Sequence, residues 1–193
     1  SAIAAASSVE HNYLRDGFYA FNKDQEIKTN LTVQFLERIE DVTAQVEAGV
    51  KGLAWADRVK KLQDVYKEII EKASDKENGV TARIYSMFKD NQYLMYVYKV
   101  YKDIRLVGTP PESVGKFGGD TDNWEWPRHT GDFSIFRVYT SKDGKPVEYN
   151  KDNVPMKPKH FLPVSIKGIK DGDYAMIYGY PGSTNRYETS YGI

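Results

Sequence analysis

The tightest constraint on the fold is a pair of alternating runs on either side of a short polar turn. Thr81 to Phe88 and Tyr93 to Val107 flank Lys89-Asp90-Asn91-Gln92. On the second run Leu94, Tyr96, Tyr98, Val100, Ile104 and Leu106 share one face, interrupted by Lys102. A hydrophobic period of two suits a strand, whose side chains point to opposite faces in turn. The two runs therefore predict an antiparallel hairpin. The tyrosines between Tyr93 and Tyr101 favour a half-buried sheet for the same reason.

Elsewhere the pattern changes period once. From Trp55 to Ser74, the residues Trp55, Val59, Leu62, Val65, Tyr66, Ile69, Ile70 and Ala73 recur at three- and four-residue spacings. That makes one apolar stripe on a helix, with charged residues largely off it. Gly79 is a plausible stop beyond it. Leu31, Val33, Phe35 and Ile39 read as a further strand, which Val42 to Val46 are expected to continue past a bend. Val9 to Ala20 read as irregular or as a short helix. Phe133 to Thr140, Phe161 to Ile166 and Tyr174 to Tyr180 read as strands, with turns at Asp143-Gly144 and Pro181-Gly182. Several strands, short turns and one inserted helix predict an antiparallel β protein, a sandwich or a barrel.

Composition removes several function classes. Lys plus Arg and Asp plus Glu both total 27, so no net charge favours nucleic acid or an anionic membrane surface. Cysteine is absent, which excludes disulfides and thiolate metal sites within this stretch. No stretch approaches the roughly 18 apolar residues of a membrane span. Ser1 to Ser8 lack the charged start and apolar core of a signal peptide.

The chemistry is concentrated in Gly118 to Phe133. Those 16 residues hold four carboxylates, two tryptophans, an arginine, a histidine and three glycines. Loops of this kind often carry function. Asp132 stands between a glycine and a strand. An acid held at a strand mouth can orient a catalytic imidazole, although the commoner role of such an aspartate is to cap a loop. His129 beside Asp122 and Asp132 raises the question of a metal, but no second histidine lies near, and a histidine bonded to loop backbone is the commoner arrangement. Trp124 and Trp126 can stack on a ligand or anchor the loop to the core.

The run GGDTDNWEWPRHTGDFSIFRVY resembles the signature segment of the bacterial dipeptidyl-peptidase 7 and 11 family. These are chymotrypsin-like serine exopeptidases that remove dipeptides from free N-termini. Ser8 to Phe18 (SVEHNYLRDGF) resemble the family's stretch just after its catalytic histidine. Tyr178 to Tyr187 (YGYPGSTNRY) resemble the end of its first catalytic segment. The resemblance implies a mainly β fold with an inserted helix, part of a chymotrypsin-like antiparallel β-barrel. It also implies that residues 1–193 are the first segment of the catalytic domain, with a helical insertion at about 54–75.

The family's roles map onto three residues. Asp132 matches the acid of the Ser-His-Asp triad, which fixes the imidazole tautomer and stabilises the imidazolium. Asn123 matches the residue that holds the substrate's free amino terminus, and Trp124 borders the same pocket. A peptide α-amino group has a pKa of about 7.7 to 8.0, so near neutrality it is mostly a cation that needs acceptors. An amine anchor at fixed distance from the scissile bond would measure out a dipeptide.

His11, His129 and His160 do not sit in the family's histidine motif. Ser183 lacks the turn expected of its nucleophile. The resemblance thus implies an internal fragment, with the histidine upstream and with the helical cap, the serine and the specificity segment downstream. The isolated chain is expected to be inactive. It further implies a peptide substrate, no cofactor, no metal, a homodimeric whole protein, and a periplasmic or secreted location. Two other readings stand beside it. One is a non-catalytic peptide-binding module on a peptidase-like fold. The other is a metal-dependent hydrolase using Asp120, Asp122, His129 and Asp132.

Overall fold

The structure, a computed structural model, describes residues 2–116, 131–176 and 191. The chain divides into two compact units, Ser1–Lys157 and Pro158–Ile193. The first unit opens with helices α1 (Ala2–Ala6) and α2 (Tyr13–Asp16) and strand β1 (Phe18–Tyr19). A 3₁₀ turn (Lys23–Gln25), β2 (Ile27–Lys28) and β3 (Val33–Asp41) follow. Helices α3 (Thr43–Val50) and α4 (Trp55–Ala73) come next, then β4 (Val80–Met87), β5 (Gln92–Tyr101) and β6 (Asp103–Thr109). The remainder is α5 (Glu112–Gly115), β7 (Ile135–Thr140) and β8 (Val154–Pro155).

Every strand pairing is antiparallel, in two sheets. One sheet runs β3-β5-β4. The other is centred on β6, with β1 and β2 in turn along one side, β7 along the other, and β8 beyond β7. The mainly β architecture with an inserted helix is therefore as the residue pattern predicts.

The predicted helix is α4. Its stripe and the valines of α3 pack on one face of the three-stranded sheet. Val42, Val46, Val50 and Val65 meet Ala82, Tyr93, Met95 and Val97 there. Each buried aliphatic side chain contributes about 1.5–3 kcal/mol. The two helices approach so closely that a Cβ on Gly49 would lie 2.7 Å from Cγ2 of Val65. Arg58 of α4 adds an ion pair to Glu47 of α3 at 2.7 Å.

Four expectations need correction. Val42 to Val46 do not extend β3 but open α3. The Asp41 carboxylate accepts from the Thr43 amide at 2.9 Å, turning the chain, and Val42, Val46 and Val50 then recur at a helical spacing of four. The run from Tyr93 to Val107 is two strands in two sheets. It breaks at exposed Lys102, whose Nζ pairs with Glu148 at 2.7 Å. The deepest face of β5 is Tyr93, Met95, Val97 and Tyr101, while Leu94, Tyr96, Tyr98 and Val100 are half-buried on the other. Phe161 to Ile166 form no strand and are exposed. Pro163 removes one backbone donor, and no neighbouring strand among the described residues pairs with the rest. Tyr174 to Met176 are likewise exposed and without strand, and 177–180 lie outside the described residues.

Candidate active site

Strand order brings two distant segments to one end of a sheet. Both β1 and β7 run antiparallel to β6, so they are parallel to each other on its two flanks. Gly108 of β6 pairs with Tyr19 on one side and with Ile135 on the other. Neighbouring strands lie about 4.8 Å apart, so the starts of β1 and β7 are roughly 10 Å apart. Residues 8–17 lead into β1, and residues 131–134 lead into β7. The stretch that resembles the family's post-histidine segment thus ends beside the stretch carrying Asp132. Gly108 sits against this junction: a Cβ there would be in van der Waals contact with the Phe18 carbonyl oxygen at 3.4 Å.

The segment before β1 is folded by its own polar side chains. Ser7 Oγ accepts from the Tyr13 amide at 3.1 Å, and Asn12 Oδ1 caps α2 by accepting from the Arg15 amide at 3.1 Å. Gly17 ends the helix at φ +73°, a conformation that glycine adopts without steric cost. The ring of Tyr13 packs on Phe18, with centroids 5.0 Å apart.

Asp132 is exposed, three residues ahead of β7. Its carboxylate lies by the end of α5: a Cβ on Gly115 would be 3.9 Å from Asp132 Cα and 4.0 Å from its Oδ1. The preceding amide, Gly131 N–H, donates to the Val114 carbonyl at 3.0 Å. An exposed, ionisable carboxylate tied to a strand entry is available to accept a hydrogen bond from an imidazole N–H. Asn123 and Trp124 lie outside the described residues, as do Asp120, Asp122 and His129. The structure therefore describes one member of the expected amine site and triad, and one of the alternative metal cluster.

Sequence reasoning did not single out Val114 and Gly131, which dock the Asp132 segment on α5. A glycine directly before a candidate acid was the available signal. It also passed over Asp103 and Arg105. Their spacing of two on a strand places them on one face, where Arg105 Nη2 meets Asp103 Oδ2 at 2.8 Å in the interior.

Comparison with known proteins agrees with the residue reading. The chain is 49% identical over 194 residues to dipeptidyl-peptidase 7 of Porphyromonas gingivalis, covering 100% of this chain and 27% of that protein. It is 48% identical over 188 residues to the Asp/Glu-specific dipeptidyl-peptidase of Capnocytophaga gingivalis, covering 96% of this chain and 26% of that protein. The solved structure of Porphyromonas endodontalis DPP11 in complex with substrate superposes with a TM-score of 0.78 at 44% identity. That match covers 89% of this chain and 26% of the DPP11 chain. The chain spans about a quarter of the length of the curated relatives it matches. These likenesses bear out the partial chymotrypsin-like fold. The Peptidase S46 family profile matches residues 1–193 throughout, and with a strand order that sets the Asp132 segment beside the residues entering β1, the chain belongs to the Peptidase S46 family.

Proposed function

We propose that this chain is part of a serine-type dipeptidyl aminopeptidase, a hydrolase that releases dipeptides from the free N-terminus of peptides. Asp132 is the acid of its Ser-His-Asp triad. The observation that carries this reading is the parallel placement of β1 and β7 about β6, which puts Asp132 at the sheet end that the segment before β1 enters. The family motif assigns the imidazole to that upstream side. Asp132 then accepts the imidazole Nδ1–H bond, holds the tautomer in which the other nitrogen takes the serine proton, and stabilises the imidazolium. Asn123 supplies an acceptor for the substrate's ammonium group, and Trp124 borders that pocket. Relatives that are dipeptidyl-peptidases, and a related DPP11 solved with substrate, support a peptide ligand. The whole protein acts as a homodimer in the periplasm or outside the cell.

The test is Asp132→Asn in the whole protein. The equivalent change in the well-studied serine protease triad lowers kcat about 10⁴-fold without disturbing the geometry. A comparable fall, with an unchanged melting temperature, is the expected result. Undiminished turnover on dipeptidyl amides would remove Asp132 from the triad.

A further inference from the structure

Triad chemistry tolerates little error: a 1 Å misplacement of a catalytic group can cost on the order of a hundredfold in rate. Asp132 is exposed and precedes its strand, so β7 pairing alone does not fix it. The fixed structure beside it is α5. Gly131 N–H donates to the Val114 carbonyl at 3.0 Å. A Cβ on Gly131 would lie 3.0 Å from Val114 Cγ1, tighter than an ordinary contact. An alanine at Gly131 therefore meets the Val114 side chain directly.

The other end of α5 is fixed to the segment entering β1. A Cβ on Gly17 would lie 3.0 Å from Pro111 Cδ and 3.1 Å from the Thr109 carbonyl oxygen, and α2 lies against α5. One short helix is thus wedged between the chain leading to β1 and the chain leading to Asp132.

We infer that Val114 and Gly131 are positioning residues for Asp132, with α5 acting as the spacer that sets its distance from the segment entering β1. This rests on the triad reading. Enlarging either side of the Val114–Gly131 contact moves the carboxylate and weakens catalysis while substrate binding persists.

The experiment uses the whole protein and a chromogenic dipeptidyl amide with a free amino terminus. Gly131→Ala should lower kcat on the order of tenfold, with KM changed by less than about twofold. Adding Val114→Ala makes room for the new methyl and should return kcat to within about threefold of the unsubstituted enzyme. On an Asp132→Asn background, Gly131→Ala should cause no further loss, because its effect passes through the carboxylate already removed. Should Gly131→Ala fail to fold, Val114→Ile is read in its place. Val114→Ile enlarges the other side of the same contact, and the same kcat signature is expected. The inference is overturned if the folded variants keep full kcat, if Val114→Ala does not rescue, or if the same factor is lost again on Asp132→Asn. Full activity of Asp132→Asn itself would instead remove the triad reading, so the two failures are distinguishable.

Discussion

The guanidinium of Arg105 lies 3.7 Å from the centre of the Tyr139 ring, stacked on it in the interior of the sheet. Its other contacts complete a buried polar knot. Arg105 Nε and Nη2 donate to the two oxygens of Asp103 at 3.0 and 2.8 Å, and Nη2 also donates to the Asn150 carbonyl at 2.9 Å. Asn153 Nδ2 donates to Asp103 Oδ2 at 2.8 Å. The knot ties β6 to β7 and to the strand-poor stretch before β8.

Removing one half of this pair should be costly. Arg105→Met leaves the Asp103 carboxylate with 0% side-chain exposure and no counter-charge. Breaking a buried pair in this way costs roughly 3–5 kcal/mol. Chemical denaturation should show a loss of that size. A loss below about 1 kcal/mol would mean that Asn153 and water replace the arginine.

Asp103 also sets an acid limit. Burial opposes its ionisation, but the hydrogen bonds from Arg105 and Asn153 and the arginine charge outweigh burial and hold the carboxyl below the usual carboxylate range. A depressed folded pKa means stability that is present above the unfolded value of about 3.9 and is lost as pH falls through the folded one. Denaturation midpoints should therefore fall below about pH 4, and the slope there should shrink in Asp103→Asn. An identical acid slope in that variant would assign acid unfolding to other carboxylates.

Tyr139 sets the opposite limit. Its hydroxyl donates to Glu26 Oε2 at 2.7 Å. Burial first, then the bond to Glu26 and that charge, push the phenol up to about 12. A raised folded pKa gives stability that is complete below the unfolded value of about 10 and fades as pH rises toward the folded one. Tyr66, pushed up to about 12 chiefly by burial, contributes a slope of its own. The comparison is therefore between proteins: Tyr139→Phe should flatten the alkaline loss above about pH 10 without abolishing it. An unaltered slope would argue that the phenol titrates normally.

The α3–α4 contact leaves no room at Gly49. Gly49→Ala brings a methyl to 2.7 Å from Val65 Cγ2. Overpacking of this kind costs typically about 1–3 kcal/mol. Most of that cost should disappear in a Val65→Ala background, where the space reopens. Equal costs in both backgrounds would mean that the helices move apart freely.

For the amine anchor, Asn123→Ala should reduce kcat/KM for free-amine peptides roughly ten- to hundredfold, the size of one hydrogen bond to a charged group. N-acetylated peptides, already poor substrates, should lose far less. Equal losses on both would separate Asn123 from the ammonium group.

Much of the local structure is readable in the residues. The stripe from Trp55 to Ala73 is a helix because eight apolar side chains fall on one face, whatever that face later meets. The hairpin from Val80 to Tyr101 follows from alternation and a polar turn. Alternation alone does not say which face of β5 goes inward. Both faces carry tyrosines and aliphatics, and the choice fell to Tyr93, Met95 and Val97 because α3 and α4 cover that side. Helix α3 is not legible in the residues, because a spacing of four among three valines is short evidence beside a preceding strand.

The residue pattern carries the strand and helix periods, the lack of cysteine within residues 1–193 and an acid at the entry of a strand, because each depends on neighbours in the chain. Folding sets which distant residues share an environment. Thr43 Oγ1 accepts from the Tyr93 amide at 2.9 Å, and Thr29 Oγ1 donates to the Ile104 carbonyl at 2.8 Å. Likewise Gly131 reaches Val114, and pairing on the two sides of β6 brings the β1 entry to the same sheet end as the β7 entry. Periodicity records which side of an element is apolar. What that side meets depends on chain-wide packing and backbone pairing, which no local pattern encodes.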